Sequence, residues 1–390
     1  MTSAPDTPRI AALAGIRRSL GPAGVLDAPA EIARYLTDFR GLYHGATPFV
    51  ACPDSTAQVA TILAACNVAG IGVVPHGGNT GYCGGATPSA AGDQLVLSLH
   101  RMNRIRAVDV ANDCMTVEAG CVLADVQRAA SAAGRSFPLS LGSEGSCQIG
   151  GNLSTNAGGL AAVRYGVARD LVLGLEVVLA DGRVMHGLSP LRKDNTGYDL
   201  RLLFIGAEGT LGVITAASLK LFAVPRTVET AFVAVPGMAA AVELLARLRA
   251  ASGECVTTFE FLPRIALDFT TRHVPGVVDP LGGDHPGFVL CELATARQDA
   301  GLRVLLEDTL QAASADGLVL DAALAASGPQ RDAFWKLRES VPEAQKHEGA
   351  SIKHDVALPI ASLPAFLEQA TAAVARVAPD ARLVAYGHLG

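Results

Sequence analysis

Pro75 to Gly85 reads PHGGNTGYCGG, and Leu141 to Gly159 reads LGSEGSCQIGGNLSTNAGG. Glycine removes Cβ, allows positive φ, and lets backbone N–H groups close on a phosphate where a larger residue would block the approach. One such loop makes a turn; two in one region point to a diphosphate. Small polar residues accompany the glycines: Asn79 and Thr80 in the first loop, and Ser143, Ser146, Asn152, Ser154, Thr155 and Asn156 in the second. They can hydrogen-bond phosphate and ring edges without adding bulk. Neither loop matches the GxGxxG fingerprint entering a long helix, nor the GxxxxGK phosphate loop.

The flanking sequence places both loops at the ends of strands or helices. DSTAQVATILAACNVAG, from Asp54, reads as an N-capped amphipathic helix, and Ile71, Val73 and Val74 then form a β-branched run leading into the first loop. LVLSL from Leu95, IRAVDV from Ile105 and MTVEAG from Met115 read as short strands, followed by a helix over 122–133. In the second loop, Gln148 to Asn156 can open a short helix facing an anion. LVLGLEVVLADGRVMHG, from Leu171, predicts a hairpin about Asp181-Gly182, and LFIGAEGTLGVITAASLKLF, from Leu203, a turn and a buried strand. Beyond Pro225 the texture becomes Ala/Leu-rich and helical, as in MAAAVELLARLRAA from Met238 and SLPAFLEQATAAVARVA from Ser362. A boundary near Val224 follows, giving domains 1–223 and 224–390, as the 390-residue length itself suggests.

A net charge of -6 with no concentrated basic face argues against a nucleic-acid partner. The longest apolar stretch, from Leu171, is far shorter than the roughly 20 residues that span a bilayer. Arg9, Arg17 and Arg18 bracket only a short apolar segment, which argues against a cleaved secretory signal, so a cytoplasmic protein is expected. Eight cysteines without a CxxC pair read as buried reduced thiols.

The order PxGGNTG, PLxLGxxGSCxIGGNxxTNAGG, RYGxxRDLVLGLEVVLADG, LRKDNTGYDL and FIGxEGTLGxIT resembles the vanillyl-alcohol-oxidase type of FAD-binding domain. The closest likeness is to the D-2-hydroxyacid dehydrogenase branch, which includes D-2-hydroxyglutarate dehydrogenase, D-lactate dehydrogenase and the glycolate oxidase flavin subunit. The resemblance implies an α+β chain, with this FAD-binding domain followed by an α/β substrate (cap) domain. It implies that Pro75, His76, Gly77, Gly78, Asn79, Thr80 and Gly81 wrap the FAD pyrophosphate from one side. Leu141, Gly142, Ser143, Gly145, Ser146, Ile149, Gly150 and Gly151 would do so from the other. Asn152, Thr155, Asn156 and Gly159 would line the isoalloxazine, and Glu208, Gly212, Val213 and Ile214 would lie near ribose and adenine. Covalent relatives carry a histidine where Asn79 stands, so the FAD is expected to be non-covalent, with His76 orienting the loop.

Oxidation of a 2-hydroxyacid needs a cation for the substrate carboxylate, a group to polarise or deprotonate the hydroxyl, and a dry pocket. FWKLRESVPEAQK, from Phe334, puts Arg338 on an amphipathic helix, and SIKHDVALP puts Lys353 on an expected strand. The resemblance assigns both to the substrate carboxylate. Pro342 stands where a 2-hydroxyglutarate enzyme of this family offers a threonine hydroxyl, which leaves a smaller or differently substituted acid open.

The sequence closes on RLVAYGHLG, read as a strand running into a glycine turn. In metal-dependent members His388 would be the first residue of HxGDGNxH, two histidines holding a divalent ion, usually zinc. The rest of that motif is not in this sequence, so a fragment lacking metal and base residues is expected. The implied partners are a small 2-hydroxyacid and an electron acceptor such as an electron-transfer flavoprotein or a quinone, with a homodimer left open. Alternatives are a flavin oxidase of another alcohol or sugar, or a non-catalytic flavin-binding subunit.

Overall fold

The computed structural model describes residues 7–298 and 301–389. Gly390, the last residue of RLVAYGHLG, lies outside them. The chain divides into two compact units, one of 1–159 with 166–224 and the other of 160–165 with 225–390. The short insert 160–165 thus leaves the first unit and joins the second, where the helix Ala162–Tyr165 packs on a strand of the second unit's sheet.

The first unit contains two main sheets. β1 (Val25–Leu26), β2 (Val50–Ala51), β3 (Gly72–His76) and β4 (Gln94–Ser98) form one, in the order β1-β2-β4-β3, with β2, β4 and β3 parallel. The helices Thr7–Leu20 and Thr56–Val68 supply Ile16, Val59, Ile62 and Cys66 to the core that covers it. The helix Thr56–Val68 starts from Ser55 without a side-chain cap, so the capped start expected there is absent. β5 (Ile105–Asp109), β6 (Cys114–Glu118), β8 (Val172–Val178), β9 (Val184–Gly187) and β10 (Val213–Lys220) make the other sheet, in the order β5-β6-β10-β8-β9. A small ribbon pairs β7 (Arg135–Ser136) with β11 (Phe222–Ala223).

Every residue of β8 is buried, as its continuous apolar run requires, and β8 returns through Asp181-Gly182 to pair Val178 with Val184. Gly182 has φ +86°, the left-handed conformation that this turn gives to glycine.

The second unit is built on one antiparallel sheet of β12 (Thr227–Val235), β13 (Val256–Pro263), β14 (Gly287–Thr295), β15 (Asp321–Leu324) and β16 (Gly387–His388), ordered β15-β12-β14-β13-β16. Strand alternation sends Phe259, Phe261, Val289 and Cys291 to one face, under the helices Met238–Ser252 and Leu302–Ala315. The opposite face carries Phe232, Leu262, Phe288 and Leu290, packed on the helices Arg264–His273 and Gly328–Glu339. The closing glycine turn expected at Tyr386 to Leu389 is instead the start of an edge strand, with Gly387 opposite Phe261 and His388 opposite Glu260. Among the described residues no helix is long and apolar enough to cross a membrane.

Candidate functional site

The two glycine loops meet backbone to backbone. A Cβ on Gly78 would lie 2.3 Å from the Ser146 carbonyl oxygen and 2.8 Å from Cys147 Cα, so only glycine permits this approach. Gly77 faces Gly151 at ordinary contact distance. By contrast, nothing lies within 4 Å of the Cβ position at Gly81, Gly142, Gly145 or Gly151, so these glycines border open space. Some glycines therefore seal the loops together while others keep a surface bare.

Three of the five described non-glycine residues with positive φ are sequence candidates: Asn79 at 53°, Asn156 at 49° and Glu208 at 52°. Such backbone persists where surrounding contacts over-determine it. Asn79 Nδ2 donates to the Thr37 carbonyl at 2.8 Å, Asn156 Oδ1 accepts from Arg169 N at 2.9 Å, and Glu208 N donates to the Ser154 carbonyl at 2.9 Å. The turn at Glu208 also packs on the first loop, since a Cβ on Gly209 would stand 2.9 Å from Pro75 Cγ. Thr155 Oγ1 donates to the Gly151 carbonyl at 3.0 Å, and Asn152 Nδ2 lies 3.5 Å from Cys147 Sγ. Asn152, Thr155 and Asn156 thus each have a structural partner in the fold. Gly159, with φ +127°, lets the chain pass the Ser140 carbonyl, while Val213 and Ile214 are buried in β10.

Unpartnered polar atoms gather at the junction. Both ring nitrogens of His76 are buried without a partner, as is Gln148 Oε1, which lies 3.7 Å from the Cβ position of Gly77. A buried unpaired polar group costs about 1–3 kcal/mol and calls for a partner. Burial pulls the His76 pKa down to about 4, so the ring is neutral. Bare glycine surfaces and unpartnered polar atoms fit the pyrophosphate and polar edges of FAD.

In the second unit, the helix Gly328–Glu339 places Arg331, Trp335 and Arg338 at i, i+4 and i+7, along one stripe. That stripe meets two carboxylates on the sheet face. Arg331 pairs with Glu292 through Nε at 2.8 Å and Nη2 at 3.1 Å, and Trp335 Nε1 donates to Glu292 at 3.2 Å. Arg338 pairs with Glu260 Oε2 through Nε and Nη2, each at 2.8 Å. The other oxygen, Oε1, contacts His388 Nδ1. The expected substrate cation is therefore buried and tied to a carboxylate, with Nη1 the guanidinium corner that Glu260 does not take.

The match to known families completes these observations. Residues 47–187 match an FAD binding domain, and 224–390 match the C-terminal domain of FAD linked oxidases. A D-2-hydroxyglutarate dehydrogenase, mitochondrial, from Bos taurus is 40% identical over 382 residues, covering 97% of this chain and 68% of that protein. The chain belongs to the FAD-linked oxidase family, in the branch of the D-2-hydroxyglutarate dehydrogenases. The enzyme of that name from Arabidopsis thaliana is 36% identical, covering 95% of this chain and 65% of its own length. A D-2-hydroxyglutarate–pyruvate transhydrogenase of Saccharomyces cerevisiae is 35% identical, covering 93% and 74%. The chain spans about two thirds of the length of the plant and bovine relatives.

Solved flavoenzyme structures share the fold of this family member. An alkyldihydroxyacetonephosphate synthase superposes with a TM-score of 0.68 at 17% identity, covering 87% of this chain and 64% of that one. The p-cresol methylhydroxylase structure gives 0.66 at 17% identity, covering 86% and 70%.

One expectation changes in the structure. Lys353 is not on a strand: residues 351–359 have no regular secondary structure, Ile352 is 89% exposed, and Lys353 Nζ donates to Gln345 Oε1 at 3.2 Å. An apolar run becomes a strand only where an edge is available to pair with it, and this one finds none. Among the described residues, no three His, Cys, Asp or Glu converge to hold an ion. His388 alone does not make a metal centre, and its Nδ1 already faces Glu260. Pro342 opens the short helix Val341–Ala344, where a missing N–H is tolerated.

Sequence reading passed over Glu260, Glu292, Arg331, Trp335 and Gln148. A signal existed for Glu260: a lone acid between Phe259 and Phe261 in the run VTTFEFLP.

Proposed function

We propose that this protein is an FAD-dependent dehydrogenase oxidising a D-2-hydroxyacid to the 2-oxoacid, with D-2-hydroxyglutarate the leading substrate. The observation that carries the reading is the junction of the two glycine loops, sealed at Gly78, bare at Gly81, Gly142, Gly145 and Gly151, and furnished with the unpartnered His76 and Gln148.

When bound, FAD would supply two-electron oxidation of the substrate carbinol carbon. Backbone N–H groups of both loops would hold the pyrophosphate, and neutral His76 would add polarity there without a charge. Arg338 offers its Nη1 corner to the substrate carboxylate, and Lys353, exposed and loosely held by Gln345, is the second cation. His388 keeps Nε2 for a proton or a ligand. An electron-transfer flavoprotein or a quinone would serve as the electron acceptor.

Steady-state assays with an artificial acceptor across D-2-hydroxyglutarate, D-lactate, D-malate, glycolate and neutral alcohols test the reading. Turnover of D-2-hydroxyacids with no turnover of neutral alcohols is expected. Turnover confined to neutral alcohols or sugars would show a flavin oxidase of another class.

A further inference from the structure

On the face of the second sheet that packs against Leu337 and Phe334, most positions are apolar, yet β13 places Glu260 there, opposite Leu290 on β14 and His388 on β16. Its side chain is wholly buried. An ionised carboxylate in such surroundings persists only with a cation and with donors on both oxygens. Glu260 has both: Oε2 receives Nε and Nη2 of Arg338, and Oε1 receives Nδ1 of His388. The Arg338 guanidinium also lies 4.9 Å from the centre of the Tyr386 ring, so it is gripped from two sides. Side-chain exposure rises outward from the carboxylate, from 0% at Glu260 to 10% at Arg338 and 48% at His388.

We propose that Glu260 is a positioning residue of the second unit, one buried carboxylate that fixes the orientation of Arg338 and the tautomer of His388. The proposal rests on the reading of Arg338 as the substrate-carboxylate cation. An ionised carboxylate only accepts hydrogen bonds, so His388 bears its proton on Nδ1 and presents the Nε2 lone pair away from the core. Arg338 cannot turn without losing both bonds to Oε2, so its Nη1 corner keeps one direction.

The test uses the full chain loaded with FAD and labelled with 15N-histidine, at a pH where imidazole is neutral. Long-range 1H–15N spectra report the tautomer of His388, assigned by its loss in His388→Ala. The wild-type protein is expected to show protonated Nδ1; protonated Nε2 would overturn the proposal without any variant. In Glu260→Gln the amide oxygen serves Arg338, leaving the NH2 group to donate to Nδ1 and move the imidazole proton to Nε2. With flavin content unchanged, KM for D-2-hydroxyglutarate should rise by about 10- to 100-fold, the usual effect of losing an outer partner. An unchanged tautomer in that variant overturns the proposal, as does an unchanged KM. If the wild-type enzyme oxidises no D-2-hydroxyacid, the functional reading fails, while the tautomer comparison still decides the role of Glu260.

Discussion

Gly78 and Ser146 pack so closely that a Cβ on the glycine would stand 2.3 Å from the serine carbonyl oxygen. The contact is backbone on backbone, and neither partner has a flexible end to move aside. Gly78→Ala is therefore expected to force the loops apart, at an overpacking cost of about 1–3 kcal/mol. In a unit of this size that lowers Tm by about 2–10 °C, and FAD content should fall with it. Gly81→Ala meets nothing within 4 Å and separates the two effects. Its Tm without FAD should match wild type while FAD affinity drops. Thermal melts with and without added FAD distinguish the pair, and equal behaviour of the two variants would contradict the division into sealing and bare glycines.

Gln148 yields a prediction of opposite sign. Its buried Oε1 has no partner in the protein, so Gln148→Met removes an unsatisfied group worth about 1–3 kcal/mol. The FAD-free variant should melt at or above the wild-type temperature. The extra stability gained on adding FAD should shrink, because the waiting acceptor is gone. A variant that loses stability without FAD yet keeps the full FAD-induced shift would show that Gln148 does not face the cofactor.

Acid should destabilise the first unit through His76. Burial lowers its folded-state pKa from 6.5 to about 4, so the unfolded chain takes up a proton first as pH falls. The contribution is complete above about pH 6.5 and is lost progressively toward pH 4, amounting to about 3 kcal/mol. His76→Leu should flatten that limb in urea titrations at pH 7, 6, 5 and 4. A second, lower limb belongs to Glu348, which hydrogen bonds from Arg382, His273 and Arg272 hold down to about 2. Its contribution is present above the ordinary 4.5 and disappears as pH falls through 2, and His76→Leu should leave it untouched.

In the second unit, Glu292 gathers donors from Thr230, Arg331 and Trp335. Glu292→Ala strands all three, and breaking a buried pair in this way costs about 3–5 kcal/mol. The partial exposure of Arg331, 42% of its side chain, puts the expected loss at the low end, about 3 kcal/mol. Glu292→Gln should lose less, because the amide still accepts from one donor. Chemical denaturation curves of the two variants measure the difference directly.

The path from sequence to site was clear wherever the determinants are local. Gly182 marks its hairpin because the turn requires positive φ, and β8 announces its burial through an unbroken apolar run. Asn79, Asn156 and Glu208 stand in the glycine-bearing motifs, and all three adopt positive φ. Arg338 and His388 stand out in their motifs, but the Glu260 carboxylate that joins them does not, because its contacts bridge separations of 78 and 128 residues and leave no periodic trace. Lys353 misled for the same reason in reverse. Ile352 and Val356 have the composition of a strand, yet strand formation depends on a partner edge, and both are exposed.

The most direct test is the absorption spectrum of the purified chain, recorded before and after anaerobic addition of D-2-hydroxyglutarate. Flavin bands that are released into solution on denaturation, and that bleach on adding the substrate, are the predicted result. A folded preparation without flavin absorbance, or flavin bands unmoved by any D-2-hydroxyacid, would contradict it.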